Sequence, residues 1–178
     1  MRISGIIRYS SAAGLFALAI CIPWLVCRFL RLQGRKICLR REGLYLLTIA
    51  YLSALFQITA LRIGLVTPRW LGGSICPIPF QTTLREASSG LWPLVYHIIG
   101  NMIWFVPLGM LLPCYSEKWK GLRILLCGGA LSLIIEGIQY ILGTGISDID
   151  DIILNALGGL FGYFTCLLFI AFKKSFNK

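Results

Sequence analysis

The residues best suited to chemistry lie in one short stretch of the chain, between positions 136 and 162. An apolar segment carrying Glu136 and Gln139 leads into a Gly-rich turn, three aspartates within four positions, and a second apolar segment carrying Asn155. A charged residue near the centre of a membrane helix costs roughly 2.5–3.5 kcal/mol on insertion scales, so it is kept where it faces a partner or a cavity. This stretch is therefore the first candidate for a functional site.

The acidic residues of this stretch admit several kinds of chemistry. Glu136 or Asp151 could act as a general base. Asp148, Asp150 and Asp151 could offer oxygens to a divalent cation. Structural interpretations stand beside these: Asp148 and Asp151 have the spacing of N-cap and N3, where carboxylates favour the helix dipole. Glu136 could serve only to fix the packing register of its helix.

The composition predicts an integral membrane protein of one domain. The 178 residues are 57% hydrophobic and only 13% charged, with a mean hydropathy of +0.80, so they cannot cover a water-soluble surface. The net charge of +10 comes from basic clusters beside apolar runs, which indicates contact with membrane lipid headgroups and not with nucleic acid. The seven cysteines form no CxxC pair and are typical of small core residues. We expect no cofactor.

Five apolar runs predict an all-α fold, a polytopic membrane helical bundle with five transmembrane helices. The first run resembles a signal peptide, but the basic cluster after it favours a retained helix. Residues 64–93 form a long loop, in which Cys76–Pro79 is expected to be extended and to lead into a short interfacial turn. Pro107 is expected to kink the third helix. The runs are Ser11–Leu30, Leu44–Ile63, Leu94–Leu112, Leu122–Leu142 and Ile152–Phe172.

The distribution of basic residues predicts the orientation in the membrane. With the N-terminus outside and the C-terminus in the cytoplasm, twelve basic residues lie inside and five lie outside. Glu136 and Asn101 then lie about 9–10 Å below the outer surface, at about 1.5 Å rise per residue. The sequence therefore predicts a polar pocket that opens to the extracytoplasmic side.

The predicted pocket residues come from several spans and from the long loop. Gly158 and Gly162 continue the helix face of Asp151 and Asn155, and we expect them to pack closely against the fourth span. His97 is a less favoured candidate for proton transfer, since a histidine at the interface more often has a satisfied structural role. The predicted ligand-binding residues are Arg62, Arg85, Asn101, Glu136, Gln139, Asp148, Asp150, Asp151 and Asn155.

An ordered set of motifs resembles the VanZ-like family. They are Pro79–Phe80 with Arg85–Glu86, then Asn101–Pro113 (NMIWFVPLGMLLP), then Glu136–Gln139 (EGIQ), and then Ser147–Gly159 (SDIDDIILNALGG). The match covers about residues 75–163, within a single domain of residues 1–178. Residues 1–63 supply two additional transmembrane helices. Many relatives carry an arginine shortly before the aspartates, where this chain has Gly145 and Ile146. If that arginine binds an anion, Arg62 or Arg85 would have to replace it.

The resemblance implies a bacterial cell-membrane protein linked to low-level resistance to glycopeptide antibiotics of the teicoplanin type. We expect the pocket to bind a lipid-linked cell-wall precursor or a lipid-tailed glycopeptide without catalysis. A membrane enzyme that modifies such a headgroup, with Glu136 or Asp151 as base, is the alternative. A transport or scaffold protein is a third possibility. The sequence does not determine the oligomeric state, and it carries no recognised catalytic motif.

Overall fold

The computed structural model describes residues 3–32, 38–63 and 65–176. Arg2, Arg35, Lys36 and Lys178, which contribute to the predicted charge bias, lie outside the described residues. Six α-helices make up most of the described part, and α2 continues directly into a π-helical turn, Gln57–Leu61. The helices are α1 Ile3–Leu32, α2 Leu39–Phe56, α3 Gln81–Ser89, α4 Leu91–Tyr115, α5 Gly121–Leu142 and α6 Ile149–Phe176.

The helical membrane fold predicted from the hydropathy is confirmed. Within the described residues, four helical segments are long and apolar enough to cross a membrane: α2 with its π-helical turn, α4, α5 and α6. Within α1, the apolar stretch Gly14–Leu30 is shorter. The predicted bounds of the third span were too narrow, because α4 begins at Leu91 and continues through Pro113 to Tyr115. Pro93 lies in the first turn of α4, where a missing backbone N–H removes no helical hydrogen bond.

The helices present two different ends. At one end, the last turns of α1 and α4 meet the first turns of α2: Arg28 forms a 2.7 Å ion pair with Glu42, and the Tyr115 hydroxyl lies 2.6 Å from Thr48 Oγ1. We call this the basic end, since Arg40, Arg41, Lys118 and Lys120 also belong to it. The opposite end, the loop end, carries residues 62–90 and the turn between α5 and α6.

Small residues let α4 and α6 pack backbone against backbone. A Cβ atom at Gly158 would overlap the Met102 carbonyl oxygen, and one at Gly162 would overlap that of Val106. The prediction that these glycines face the fourth span was therefore wrong, because they face the third span, α4. Helix α5 contacts α6 through a different glycine, Gly128, where a Cβ would lie 3.3 Å from Ala156 Cα. A stripe of small residues reveals a close contact, but it does not identify the partner.

The long loop folds back onto the end of α5. Its backbone N–H groups at Arg69, Leu71 and Gly73 donate to carbonyls in the last residues of α5. Strand β1 (Ser74–Cys76) then pairs in parallel with β2 (Ile146–Asp148), with Cys76 opposite Asp148. The expected extended segment thus begins at Ser74, and it leads into the nine-residue helix α3, longer than the predicted turn. The folded-back loop thus holds α3 beside the first turns of α4 and α6.

Candidate functional site

A cavity of about 410 Å³ lies at the loop end between the π-helical turn, α4, α5 and α6. Six of the nine predicted ligand-binding residues line it: Arg62, Asn101, Glu136, Gln139, Asp151 and Asn155. Its volume falls within the range of small-molecule sites, about 300–1,000 Å³. The structure therefore brings together polar residues that are separated by up to 93 positions in the sequence.

Glu136 forms part of the cavity floor and is only 4% exposed. Its Oε2 accepts a 3.0 Å hydrogen bond from the Asp148 backbone N–H, and its own carbonyl accepts a 2.6 Å bond from Ser147 Oγ. Within the described residues, its other carboxylate oxygen accepts no hydrogen bond. Glu136 thus ties the β2 segment to α5 with one oxygen and keeps the second available for a ligand or for water.

Asp151 extends the floor from the first turn of α6. Its Oδ1 accepts a 2.6 Å hydrogen bond from Asn101 Nδ2 and lies 4.0 Å from His97 Nδ1. Its Oδ2 accepts no hydrogen bond from the described part of the chain. Asp151 had the spacing of an N3 capping residue, but its side chain faces α4 and the cavity. Of the two residues that the spacing offered as N-cap and N3, Asp148 is the one whose side chain caps the helix, and Asp151 belongs to the cavity.

His97 is the centre of a hydrogen-bonded chain that leads from the cavity to α3. Its Nδ1 lies 3.4 Å from Asn101 Nδ2, and its Nε2 lies 3.3 Å from Thr83 Oγ1. The Thr83 hydroxyl donates a 2.9 Å bond to Asp150 Oδ2, which as an ionised carboxylate can only accept. Since this hydroxyl has one proton, it must accept from His97, which places the imidazole proton on Nε2.

Arg62 supplies a cation on the opposite wall. It is the residue after the π-helical turn and has a left-handed backbone, with φ of 49°. Its guanidinium donates to two carbonyl oxygens, Thr59 O at 3.1 Å and Thr144 O at 3.3 Å. A Cβ atom at Gly145 would lie 3.5 Å from Nη1 of Arg62. The guanidinium of Arg62 therefore lies beside the turn that precedes the aspartates, although the two are far apart in the sequence. Of the two arginines considered as replacements, Arg62 is the one that lines the cavity.

Gln139 and Asn155 hold the walls together. Gln139 Nε2 donates a 2.8 Å bond to Thr59 O, a carbonyl of the π-helical turn. Thr144 Oγ1 donates a 2.6 Å bond to the neighbouring carbonyl of Ala60. Asn155 Nδ2 donates a 2.8 Å bond to Ser132 Oγ of α5. The bonds of Gln139 and Thr144 hold the π-helical turn that precedes Arg62, and the bond of Asn155 joins α6 to α5.

Three predicted site residues lie outside the cavity. Asp148 accepts hydrogen bonds from Thr82 Oγ1 and, at 2.9 Å, from the backbone N–H of Asp150, so it caps α6 as the structural interpretation expected. Asp150 accepts from the backbone N–H groups of Phe80 and Thr83 and thereby caps α3 from a distant part of the chain. The exposed Arg85 lines a separate recess beside Cys76.

The three aspartates also do not converge on a common point. Asp148 and Asp150 bind groups of α3 and α6, whereas Asp151 binds Asn101. Within the described ranges, no group of three or more His, Cys, Asp or Glu side chains is arranged to hold a metal ion. The hydrogen bonds of the cluster thus account for the side chains that suggested a cation site.

Several cavity residues were not identified from the sequence. Ile58 and Thr59 belong to the π-helical turn, and Tyr96, Ile103 and Trp104 form the α4 wall. A π-helical turn has no sequence signal of its own, although such turns are frequent at functional sites. Aromatic residues are common on any lipid-facing helix. Only the packing therefore distinguishes the aromatic residues of α4 that lie beside the cavity from those that face lipid.

Comparison with known proteins identifies the family. The VanZ/LLP1 family model matches residues 15–170 of the chain, which is most of its length. The chain belongs to the VanZ/LLP1 family. It is also similar to "Protein VanZ" of Enterococcus faecium, with 38% identity over 65 residues. That similarity covers 36% of this chain and 40% of the enterococcal protein. No solved structure matches the chain.

The VanZ/LLP1 match includes all of the cavity residues, which come from the π-helical turn, from Arg62 directly after it, and from α4, α5 and α6. It begins within α1 and so extends well beyond the motif-bearing residues 75–163. In this VanZ/LLP1 protein, the acidic motif residues divide into two groups. Glu136 and Asp151 line the cavity, whereas Asp148 caps a helix.

Proposed function

We propose that this VanZ/LLP1 protein alters the susceptibility of bacteria to glycopeptide antibiotics of the teicoplanin type, and that its cavity binds a lipid-linked or amphipathic ligand. Membership of the VanZ/LLP1 family and the similarity to the enterococcal VanZ protein support the link to resistance. The binding of a ligand rests on the geometry of the cavity. The observation that carries it is a charged floor combined with an apolar, exposed wall.

The exposed wall lies on α4, within a membrane-spanning segment. Tyr96, Ile103 and Trp104 line the cavity and are 82%, 57% and 40% exposed, respectively. Toward the basic end, Tyr51 Oη donates a 2.7 Å bond to the Trp104 carbonyl and so joins α2 to α4. From these exposures and this bond, we infer a cleft that is closed toward the basic end and open at its side between α2 and α4. A ligand with a polar head and an acyl tail fits this cleft, with the tail in the bilayer.

The loop end is proposed to face outward, with the N-terminus outside and the C-terminus in the cytoplasm. Of the basic residues whose side chains the structure describes, eight lie at the basic end, whereas Arg62, Arg69 and Arg85 lie at the loop end. An excess of Lys and Arg near short loops marks the cytoplasmic side. This orientation places the cavity where lipid-linked precursors and antibiotics meet the outer leaflet. The basic residues of the first group are Arg28, Arg40, Arg41, Lys118, Lys120, Arg123, Lys173 and Lys174.

Two substitutions of Glu136 test binding against catalysis. Glu136→Gln keeps the shape and an oxygen that can accept from the Asp148 N–H, but it cannot act as a base. Glu136→Leu removes that acceptor as well. Cells that lack a VanZ protein would express the wild type and each variant at matched membrane levels. We expect the minimum inhibitory concentration of teicoplanin to rise with the wild type, to fall with Glu136→Gln but stay above the background, and to return to the background with Glu136→Leu.

The alternative function is a membrane enzyme that modifies a headgroup. Each floor carboxylate has one oxygen held by a donor and one without a hydrogen bond in the described residues, which suits a positioned general base. In that case Glu136→Gln or Asp151→Asn would abolish the phenotype. Lipid extracts would then contain a chemically altered species only when the wild type is expressed. Unchanged extracts together with activity of both variants would exclude this alternative.

A further inference from the structure

The cavity contains unlike charges that do not neutralise one another. Arg62, Glu136 and Asp151 all line it. Among the described residues, the one ion pair within 4.0 Å between an arginine or lysine and a carboxylate is Arg28–Glu42. In the described part of the chain, no carboxylate lies within 4.0 Å of the Arg62 guanidinium, whose hydrogen bonds go to two backbone carbonyls. A guanidinium has five N–H donors, so donors remain for a ligand.

The floor has the opposite character. Glu136 and Asp151 each keep one carboxylate oxygen that accepts no hydrogen bond from the described residues, as set out above. The cavity thus offers N–H donors with a positive charge on the α2 side. On the α5 and α6 side it offers acceptors with a negative charge. Charged groups in a partly desolvated site bind best to a ligand that completes both sets of hydrogen bonds.

From this arrangement, we infer that the ligand carries a zwitterionic head: a primary ammonium that binds Glu136 and Asp151, beside a phosphate that binds Arg62. A purely anionic head would be repelled by the carboxylates of Glu136 and Asp151, and a purely cationic head would be repelled by the guanidinium of Arg62. A quaternary ammonium has no N–H to donate to the free oxygens. This inference rests on the proposed function, because it names the head of the amphipathic ligand. The same chemistry occurs in a phosphatidylethanolamine headgroup and in free phosphoethanolamine.

Calorimetric titration of the full-length protein in detergent tests the inference. The probes would be dihexanoyl phosphatidylethanolamine, phosphatidylglycerol and phosphatidylcholine, and water-soluble phosphoethanolamine. We expect the ethanolamine lipid to bind at least about tenfold more tightly than the glycerol and choline lipids, as the loss of one charge-assisted hydrogen bond implies. Comparable binding of phosphoethanolamine would identify a soluble head as sufficient. Binding of the lipid alone would show that the acyl chains are needed.

Substitutions in the cavity test which residues bind the ammonium group of the head and which bind its phosphate. With Glu136→Gln, we expect the ethanolamine lipid to lose about tenfold in affinity while the glycerol lipid loses none, so the preference disappears. With Arg62→Gln, both lipids should bind more weakly, because both carry the phosphate. Arg85→Gln and Glu117→Gln are matched controls, since both residues are exposed and lie outside the cavity. Unfolding midpoints would be compared for all variants.

The failures are distinguishable. Equal affinities for the ethanolamine and glycerol lipids in the wild type, with both still dependent on Arg62, would overturn the zwitterionic head and leave the lipid-binding cavity intact. Lipid binding that no cavity substitution alters would overturn both the inference and the proposed ligand site. If the preference for the ethanolamine lipid survives in both Glu136→Gln and Asp151→Asn, these carboxylates do not bind the ammonium group.

Discussion

Asn101 Nδ2 donates a 2.6 Å hydrogen bond to Asp151 Oδ1, and this contact joins α4 to α6 at the cavity floor. The two residues are 50 positions apart in the sequence. The same amide lies 3.4 Å from His97 Nδ1, so its two N–H groups have two different acceptors. Asn101 therefore fixes the direction of Asp151, whose second oxygen remains available to the cavity.

A double-mutant cycle should measure the coupling between these two residues. Asn101→Leu leaves Asp151 without its donor, and we expect the free energy of unfolding to fall by about 1–3 kcal/mol. In the double variant Asn101→Leu/Asp151→Leu, neither polar group remains, and part of that loss should be recovered. Unfolding in mixed detergent micelles would be followed for the wild type, both single variants and the double variant. Strictly additive effects would show that the bond contributes no coupling.

Gly158 should be among the least replaceable residues of α6. A Cβ at this position would overlap the Met102 carbonyl, so Gly158→Ala must push α4 and α6 apart. We expect a loss of about 1–3 kcal/mol, the usual range for overpacking. Gly137→Ala in α5 is the matched control, because a Cβ there meets nothing within 4 Å. The control should be neutral or gain up to about 1 kcal/mol from helix propensity. Equal effects of the two substitutions would contradict the close helix contact.

The tautomer of His97 follows from the accounting of protons along its hydrogen-bonded chain. Because His97 is the only histidine, selective ¹⁵N labelling gives one imidazole signal set in a nuclear magnetic resonance spectrum. We expect the neutral form with the proton on Nε2. Thr83→Val removes the hydroxyl that accepts this proton, so we expect the Nδ1–H form to become populated. A wild-type spectrum with the proton on Nδ1 would show that the Thr83 hydroxyl does not donate to Asp150.

Much of the fold was predictable because its signals are local. A hydropathic run identifies a span, and a rise of about 1.5 Å per residue places Asn101 and Glu136 at a similar depth. Since consecutive spans run in opposite directions, Asp151 had to begin α6 at the same end. These constraints predicted most of the polar cavity lining without knowledge of the helix packing.

The remaining features depend on contacts that no local pattern encodes. Asp150 caps α3 only because the long loop folds back over α5. That long-range contact is not visible in the sequence, where the close spacing of Asp148 and Asp150 suggested a cation site. The π-helical turn sets the position of Arg62, yet its sequence continues the apolar pattern of α2. The partner of Gly158 and Gly162 had two candidates of similar composition, and the packing selected α4.

The proposed orientation of the cavity can be tested with a membrane-impermeant maleimide. Ser88→Cys places a thiol on exposed α3 at the loop end, and Glu117→Cys places one on the exposed loop between α4 and α5. Removal of an acidic residue has little effect on topology, which makes Glu117 suitable. In intact cells we expect labelling of Ser88→Cys above the parent protein, whose seven cysteines set the background. Glu117→Cys should be labelled only after permeabilisation.

The reverse pattern would place the cavity on the cytoplasmic side. An extracytoplasmic antibiotic could then reach Arg62 and Glu136 only after crossing the membrane, so a direct effect on its access to the outer leaflet would be excluded. A zwitterionic lipid of the inner leaflet could still enter the cleft beside Trp104, because the proposed lateral opening does not depend on which side of the membrane the cavity faces. Labelling therefore separates the ligand chemistry of the cavity from the proposed role in resistance.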